Sequence, residues 1–256
     1  MGSERLAFPL QWTERQRRAY VIFSTSCNIR CVYCFQNFEK RTRGKHDDEF
    51  LEKNLLSLRN EIDQIVLFGG EPFLTENAKS IVRLLERFDY LSFIAFTNGN
   101  FESEYAEILR EHAHVFERVV ITIDGPKEVH NSRRINAAKN SFETIMSNLE
   151  LLSLYNVPLE IQVNIDKDNA ASLPDFFEFA SKSEVLSPLF YLLNPVKYSK
   201  GSLEQSELLQ LFFLLKESYP LDIALNNRLV ENLARLFNHK PLLRNRCGLD
   251  STYVLD

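Results

Sequence analysis

Three cysteines, Cys27, Cys31 and Cys34, fall within the stretch STSCNIRCVYCFQNFE, and the 256-residue chain holds one more, Cys247. Free cysteine is often a buried core residue, but three thiols at C-x-x-x-C-x-x-C spacing on a polar loop suit metal ligation better. Zinc is one alternative. A structural zinc wants four closed ligands, commonly from two C-x-x-C knuckles, and here the nearest histidine, His46, lies beyond a charged loop. An electron-transfer cluster normally takes four thiolates, and no fourth is nearby. Three thiolates can instead hold three irons of a cubane cluster and leave one iron open to a substrate or cofactor.

The elements that carry this loop follow from periodicity. Apolar, β-branched runs predict strands at Arg18–Ser24, Ile62–Phe68, Leu91–Thr97, Arg118–Asp124, Leu159–Ile165 and Leu189–Asn194. Between them the spacing predicts helices from Asp47 or Asp48 to about Asn60, from Thr75 onward, and over Ser103–His112, Ser141–Leu154 and Leu173–Lys182. Further helices are expected at Leu203–Ser218 and Asn227–Asn238, with room for a short strand between them. Six strands alternating with helices predict parallel βα units, and apolar runs without alternation fit a sheet covered on both faces. The notable polar residues fall just after strands: the cysteine loop, Gly69-Gly70-Glu71-Pro72, Asn98-Gly99, Asp124-Gly125 and Asn194. Ligands of parallel α/β folds bind at the carboxyl ends of strands, so these segments are expected on one rim.

Composition narrows the class. A formal charge of −5 gives no basic footprint for nucleic acid. No apolar run approaches the roughly 18 residues of a membrane span, and the N-terminal MGSERLAFPLQWTERQRRAY has no apolar signal core. The expected compartment is the reducing cytoplasm, where clustered thiols mean metal or redox chemistry more often than disulfides.

C-x-x-x-C-x-aromatic-C after the first strand, FGGEPFL after the second, TNGN after the third and TIDGPKEVHNSRR after the fourth together resemble the radical S-adenosylmethionine superfamily, over roughly Tyr20 to Asn194. The resemblance implies an α/β fold, a partial parallel (β/α)6 barrel over 20–195, with a short N-terminal extension (1–19) and a helical C-terminal extension (196–256). It implies one 4Fe–4S cluster held by Cys27, Cys31 and Cys34, and S-adenosylmethionine cleaved reductively to a 5′-deoxyadenosyl radical. Tyr33 is expected near the adenine, with Phe35 a second candidate. Gly69, Gly70, Glu71 and Pro72 match the segment that binds the methionine amino group, the glycines allowing close backbone approach. Thr122, where the family more often has Ser, and Asp124 would meet the ribose. Arg134, or its neighbour Arg133, could hold the methionine carboxylate through a bidentate pair. Asn98 and Asn164 would face the cofactor from strand ends.

Plainer readings stand beside these. Asn98-Gly99 and Asp124-Gly125-Pro126 could be turn chemistry alone, and Arg133-Arg134 a solvated basic pair. His130 reads as a loop residue without a role, and LLQLFFLLK as core or as an interface face. No catalytic base stands out. The motif context resembles the peptide-modifying branch, the sulfatase maturases and ribosomal-peptide maturases, which implies an oxidoreductase acting on a precursor peptide with an external one-electron donor. Cys247 resembles the first ligand of the auxiliary-cluster domain common in that branch, but a single thiol holds no cluster, so no auxiliary cluster is expected. The alternatives are a radical enzyme acting on a small molecule and a catalytically silent cluster- or peptide-binding partner protein.

Overall fold

The computed structural model describes residues 17–36, 47–196 and 201–226, and the backbone of Thr252–Leu255. In chain order the elements are β1 (Arg18–Ile22), β2 (Ile29–Cys31), α1 (Asp48–Ser57), β3 (Gln64–Phe68), α2 (Ala78–Arg87), β4 (Ser92–Thr97), α3 (Ser103–Glu111), β5 (Phe116–Thr122), α4 (Lys127–Arg133), β6 (Arg134–Asn136), α5 (Ser141–Leu154), β7 (Leu159–Ile165), α6 (Leu173–Lys182), β8 (Phe190–Pro195), α7 (Gln205–Ser218), β9 (Asp222–Leu225) and β10 (Thr252–Leu255).

Eight strands form one sheet in the order β10-β1-β3-β4-β5-β7-β8-β9. Every neighbouring pair in it is parallel. This is the α/β partial barrel expected, with β9 and β10 at its open edges among the described residues. All six expected strands are present. The stretch after residue 195 contributes α7 and the short strand β9, both foreseen, and also β10, so it extends the sheet as well as adding helix. The helix expected at Asn227–Asn238, and Cys247 and His46, lie outside the described residues.

Strand side chains alternate between faces, and the two faces differ in kind. Ile65, Leu67, Ala95, Ile121, Val163 and Leu193 point outward and are buried with helix residues such as Leu55, Leu85, Leu109, Leu149 and Phe177. The inner face carries a small separate cluster, Val66, Ile94 and Val120, bordered by the partly exposed rings of Tyr20, Phe68 and Phe96. In α7, Leu208, Phe212 and Leu215 are buried in the core while Phe213 and Leu214 stay exposed.

Local chemistry sets the helix starts. Asp47 caps α1, its side chain accepting from the backbone N–H of Glu49 at 3.0 Å and of Phe50 at 3.1 Å. Acidic Asp48 and Glu49 in the first turn complement the helix dipole. A 3-10 turn over Thr75–Asn77 leads into α2, which therefore begins later than its sequence signal. Helix α4, just after Pro126, falls within the stretch read only as a motif. His130 is thereby a fully buried helix residue, not a loop one.

One small element has no counterpart in the expected pattern. β2 and β6 pair antiparallel, with Cys31 opposite Arg134, and the Val32 N–H donates to the Arg133 carbonyl at 2.9 Å. This ribbon lashes the cysteine loop to the end of α4.

Candidate cluster and cofactor site

The cysteine loop starts where β1 ends, and the Gly69-Gly70 segment fixes its first turn. Gly70 N–H donates to the Ser24 carbonyl at 3.0 Å, and Glu71 N–H to the Ser26 carbonyl at 2.8 Å. A Cβ on Gly70 would lie 1.9 Å from the Ser26 oxygen. Gly69 has φ +126°, a conformation L side chains rarely adopt. The close backbone approach foreseen for a ligand is thus made, in the chain itself, to the loop that carries the thiols.

Glu71 is 1% exposed and fully engaged by protein donors. It accepts from Phe73 N–H at 2.9 Å, Thr97 Oγ1 at 2.7 Å and Asn98 N–H at 2.7 Å. Burial raises its pKa, an effect these donors oppose only in part. Glu71 therefore welds the end of β3 to the end of β4. Pro72 is buried beside it, its carbonyl accepting from Asn77 Nδ2 at 2.9 Å.

Asn98 reaches the thiol loop directly. Its Nδ2 lies 3.6 Å from Cys27 Sγ and donates to Asn28 Oδ1 at 2.7 Å. Asn28 in turn donates to the Asn100 carbonyl at 2.5 Å. The β4 end thus holds the first cysteine in place.

Tyr33 gathers the other half of the site. Its hydroxyl donates to Asp124 Oδ2 at 2.5 Å and accepts from Arg134 Nη1 at 2.7 Å and Asn164 Nδ2 at 3.0 Å. One donated and two accepted bonds are the full capacity of a phenol. Asp124 Oδ1 also accepts from Asn164 N–H at 3.1 Å. Four of the residues singled out in the sequence, Tyr33, Asp124, Arg134 and Asn164, meet at one oxygen atom. Thr122 sits two residues before Asp124, buried at the end of β5.

The two arginines divide their work. Arg133 is buried and bidentate to Asp166, at 2.7 and 2.9 Å, with its guanidinium 5.0 Å from the Tyr33 ring centroid. Arg134 makes one guanidinium bond, to Tyr33, and its buried Nε has no partner. Arg133 likewise has a buried Nε without a hydrogen bond, 3.8 Å from Asp124 Oδ2, so both arginines keep donors, with Arg133 the more committed to protein carboxylates. Asp166 and Asn169 were not anticipated, although the turn-forming DKDN after β7 marks them. Asn169 Nδ2 donates to the carbonyls of Asp124 at 2.6 Å and Asn164 at 2.9 Å. His130 also braces the site, accepting the Asp124 backbone N–H at Nδ1, 3.2 Å away. Burial pushes its pKa well down, so it acts as a neutral ring.

Charges are balanced tightly. Burial works against the Arg134 charge, yet Tyr33, Cys31 and Asp124 around it raise its pKa above the ordinary arginine value. Burial raises the Asp124 carboxyl, opposed chiefly by Arg134. It also pushes the Cys31 thiol up to about 11, against the lowering influence of Arg134.

Cys27, Cys31 and Cys34 are partly exposed thiols, none of them joined in a disulfide. Among the described residues no three His, Cys, Asp or Glu side chains already converge to hold a metal. A metal-thiolate site is commonly completed by the metal itself, and the features that fit are the donor set and the surroundings. Three thiols share one anchored loop, and the buried unpartnered Nε of Arg134 belongs to the residue opposite the second thiol.

Residues 21–180 match the family model of the Radical SAM superfamily. The chain belongs to the Radical SAM superfamily. Within it, the chain resembles the peptide-modifying members. It is 28% identical over 177 residues to the cysteine-type anaerobic sulfatase-maturating enzyme of Clostridium novyi, covering 63% of this chain and 46% of that one. The chain spans about half the length of the curated relatives it matches. Among solved structures, anSMEcpe with bound AdoMet and Kp18Cys peptide aligns with TM-score 0.67 at 22% identity, over 90% of this chain and 68% of that one. Streptococcus suis SuiB bound to its precursor peptide SuiA aligns with TM-score 0.69 at 13% identity, over 93% and 56%. These structural likenesses speak for the fold. Family membership implies a 4Fe–4S cluster and S-adenosylmethionine.

Proposed function

We propose that this protein is a radical S-adenosylmethionine enzyme that abstracts hydrogen from a peptide, modifying or crosslinking a ribosomally made precursor. One 4Fe–4S cluster would be held by Cys27, Cys31 and Cys34. When bound and reduced by an external donor, cluster and S-adenosylmethionine together supply a 5′-deoxyadenosyl radical. The observation that carries the reading is the convergence of Tyr33, Asp124, Arg134 and Asn164 on one hydroxyl, lashed to the cysteine loop by the β2–β6 ribbon.

The residues divide the work as follows. Arg134, with donors to spare, would take the methionine carboxylate. Tyr33 and Asp124 would set the sugar and base end, Thr122 lying just below them. Gly69, Gly70, Glu71 and Pro72 hold the loop on which the amino group would rest, and Asn98 steadies Cys27. Holding the hydrogen-accepting 5′ carbon close to one target C–H bond would be the main rate gain open to such a site. The peptide reading draws on the sulfatase-maturase relative and on the peptide-bound structures of similar fold. A reducing compartment would suit the exposed thiols.

The test is anaerobic reconstitution with iron and sulfide, reduction with dithionite, and chromatography for 5′-deoxyadenosine. The expected result is product from the parent and none from Cys31→Ala, which should also lose cluster absorbance. A fully loaded parent that gives no product, with or without candidate peptides, overturns the reading.

A further inference from the structure

The inner face of the sheet is divided into two chemical halves. On β1, β3 and β4 it is aromatic: Tyr20, Phe68 and Phe96 stand in edge-to-face contact, 5.7 Å between successive ring centroids. They border the buried Val66, Ile94 and Val120, and all three rings remain partly exposed. On β7, β8 and the residue after β9 the upper part of the face is a ladder of carboxamides, above Leu192 and Ala224, which lie in register with Gln162. Asn226 Nδ2 donates to Asn194 Oδ1 at 2.8 Å, Asn194 Nδ2 to Asn164 Oδ1 at 2.7 Å, and Gln162 Nε2 to the same Asn164 oxygen at 3.1 Å. The ladder runs into Tyr33 and ends on Asp124.

A carboxylate only accepts, so the ladder has one polarity. Tyr33 must donate to Asp124, Asn164 to Tyr33, Asn194 to Asn164 and Asn226 to Asn194. Asn164 is saturated at its oxygen. Outside the ladder Asn194 keeps one N–H and one oxygen lone pair, and Asn226 one N–H and both lone pairs of its oxygen, on side chains partly or fully exposed. One donor and one acceptor per amide is the pattern a peptide group itself presents. The charges nearby are engaged: Arg118, lower on the same sheet, is tied to Glu160 at 3.1 Å, and Arg134 and Asp124 lie at the far end of the ladder, both bonded to Tyr33.

We propose that this face is the substrate site, and that it takes a peptide residue with a neutral apolar or aromatic side chain. The side chain would rest on Tyr20, Phe68 and Phe96, and the adjoining backbone amides would pair with Asn194 and Asn226. This rests on the peptide-modifying reading and names the residue class it would act on. Apolar surface is favourably removed from water by the ring wall. An anionic group would meet neutral amides that leave its charge uncompensated, so phosphates and acidic side chains are disfavoured. The ladder also joins the substrate edge to Tyr33, giving the peptide and the cofactor residues one continuous scaffold.

The probes are N-acetyl-phenylalanine methylamide, N-acetyl-leucine methylamide, N-acetyl-glutamate methylamide and GTP. They are titrated by saturation-transfer NMR against the full, cluster-loaded chain with S-adenosylmethionine under anaerobic conditions. The expected result is binding of the phenylalanine and leucine probes at least tenfold tighter than of the glutamate probe or GTP. Phe96→Ala should weaken the phenylalanine probe about tenfold. Asn194→Ser, at a partly exposed position, should weaken the methylamides more than N-acetyl-phenylalanine methyl ester, which lacks the C-terminal N–H that the Asn194 oxygen would accept; this variant serves if Phe96→Ala does not fold. Equal or tighter binding of the glutamate probe or GTP, no binding by any probe, or indifference to the variant that folds overturns the proposal. 5′-Deoxyadenosine formed with and without candidate peptides is measured on the same preparation. Its absence from both counts against the enzyme reading, whereas its presence without probe selectivity removes only the substrate assignment.

Discussion

At the scale of single residues, the site depends on atoms whose hydrogen-bonding capacity is used up. Replacing Glu71 with Ala would strand three donors, Phe73 N–H, Thr97 Oγ1 and Asn98 N–H. Unsatisfied buried groups cost about 1–3 kcal/mol each, so a loss of about 3 kcal/mol or more is expected in urea denaturation of the iron-free protein. Tyr33→Phe keeps the ring beneath Arg133 but removes the oxygen shared by Asp124, Arg134 and Asn164. The expected outcome is a stability loss of about 1–3 kcal/mol, with iron content retained and S-adenosylmethionine affinity lowered in a binding titration. Loss of iron in this variant would place Tyr33 in cluster support instead. The types of these residues were legible from the sequence, but their partners were not. That Glu71 turns inward to Thr97 and that Arg133 is bidentate to Asp166 depends on partners far away along the chain.

At the scale of elements, tight approach and end-to-end ties decide behaviour. Gly70→Ala would drive a methyl into the Ser26 carbonyl, whereas at Gly125 the nearest atoms to a Cβ lie at 3.4 Å and the penalty is backbone strain at φ +148°. Strain of that kind costs about 1–3 kcal/mol. Gly70→Ala is therefore expected to lower iron loading severalfold by colorimetric assay, and Gly125→Ala much less. Between α4 and α5, Glu143 accepts from Lys127 at 2.8 Å and Asn131 at 2.9 Å, and the hydrogen bond to Lys127 depresses its carboxyl to about 2. A carboxyl depressed in the folded state stabilises above its unfolded value and loses that contribution as pH falls through the folded one. The urea midpoints of parent and Glu143→Gln should therefore converge on acidification from about 4.5 to about 2. The long strands and helices were legible because their apolar runs extend over several residues. The β2–β6 ribbon was not: with three residues on each side, it has no periodicity to read, and its pairing is set by the fold around it.

At the scale of the whole molecule, the sequence order of the parallel units predicted which loops share a rim. It could not predict which strands would sit at the edges, because β9 and β10 carry four residues each. Removing the outer-face Leu85, fully buried beneath the helices, should lower stability by about 2–5 kcal/mol as Leu85→Ala without altering the inner face, read as unchanged iron loading in the folded fraction. The pairing of Arg18 with Thr252 has a consequence in time. Contacts between residues so distant along a chain form late, since a large loop must close before any bond rewards it. During synthesis the strand that leads into Cys27 is made well before Thr252, so one of its hydrogen-bonding edges waits for a partner far along the chain. A bare edge is a template for pairing with another molecule. Chains interrupted before Thr252 should thus be lost to self-association at the very strand that presents the thiols, and delayed maturation of the protein would show first as aggregation, ahead of any defect in chemistry.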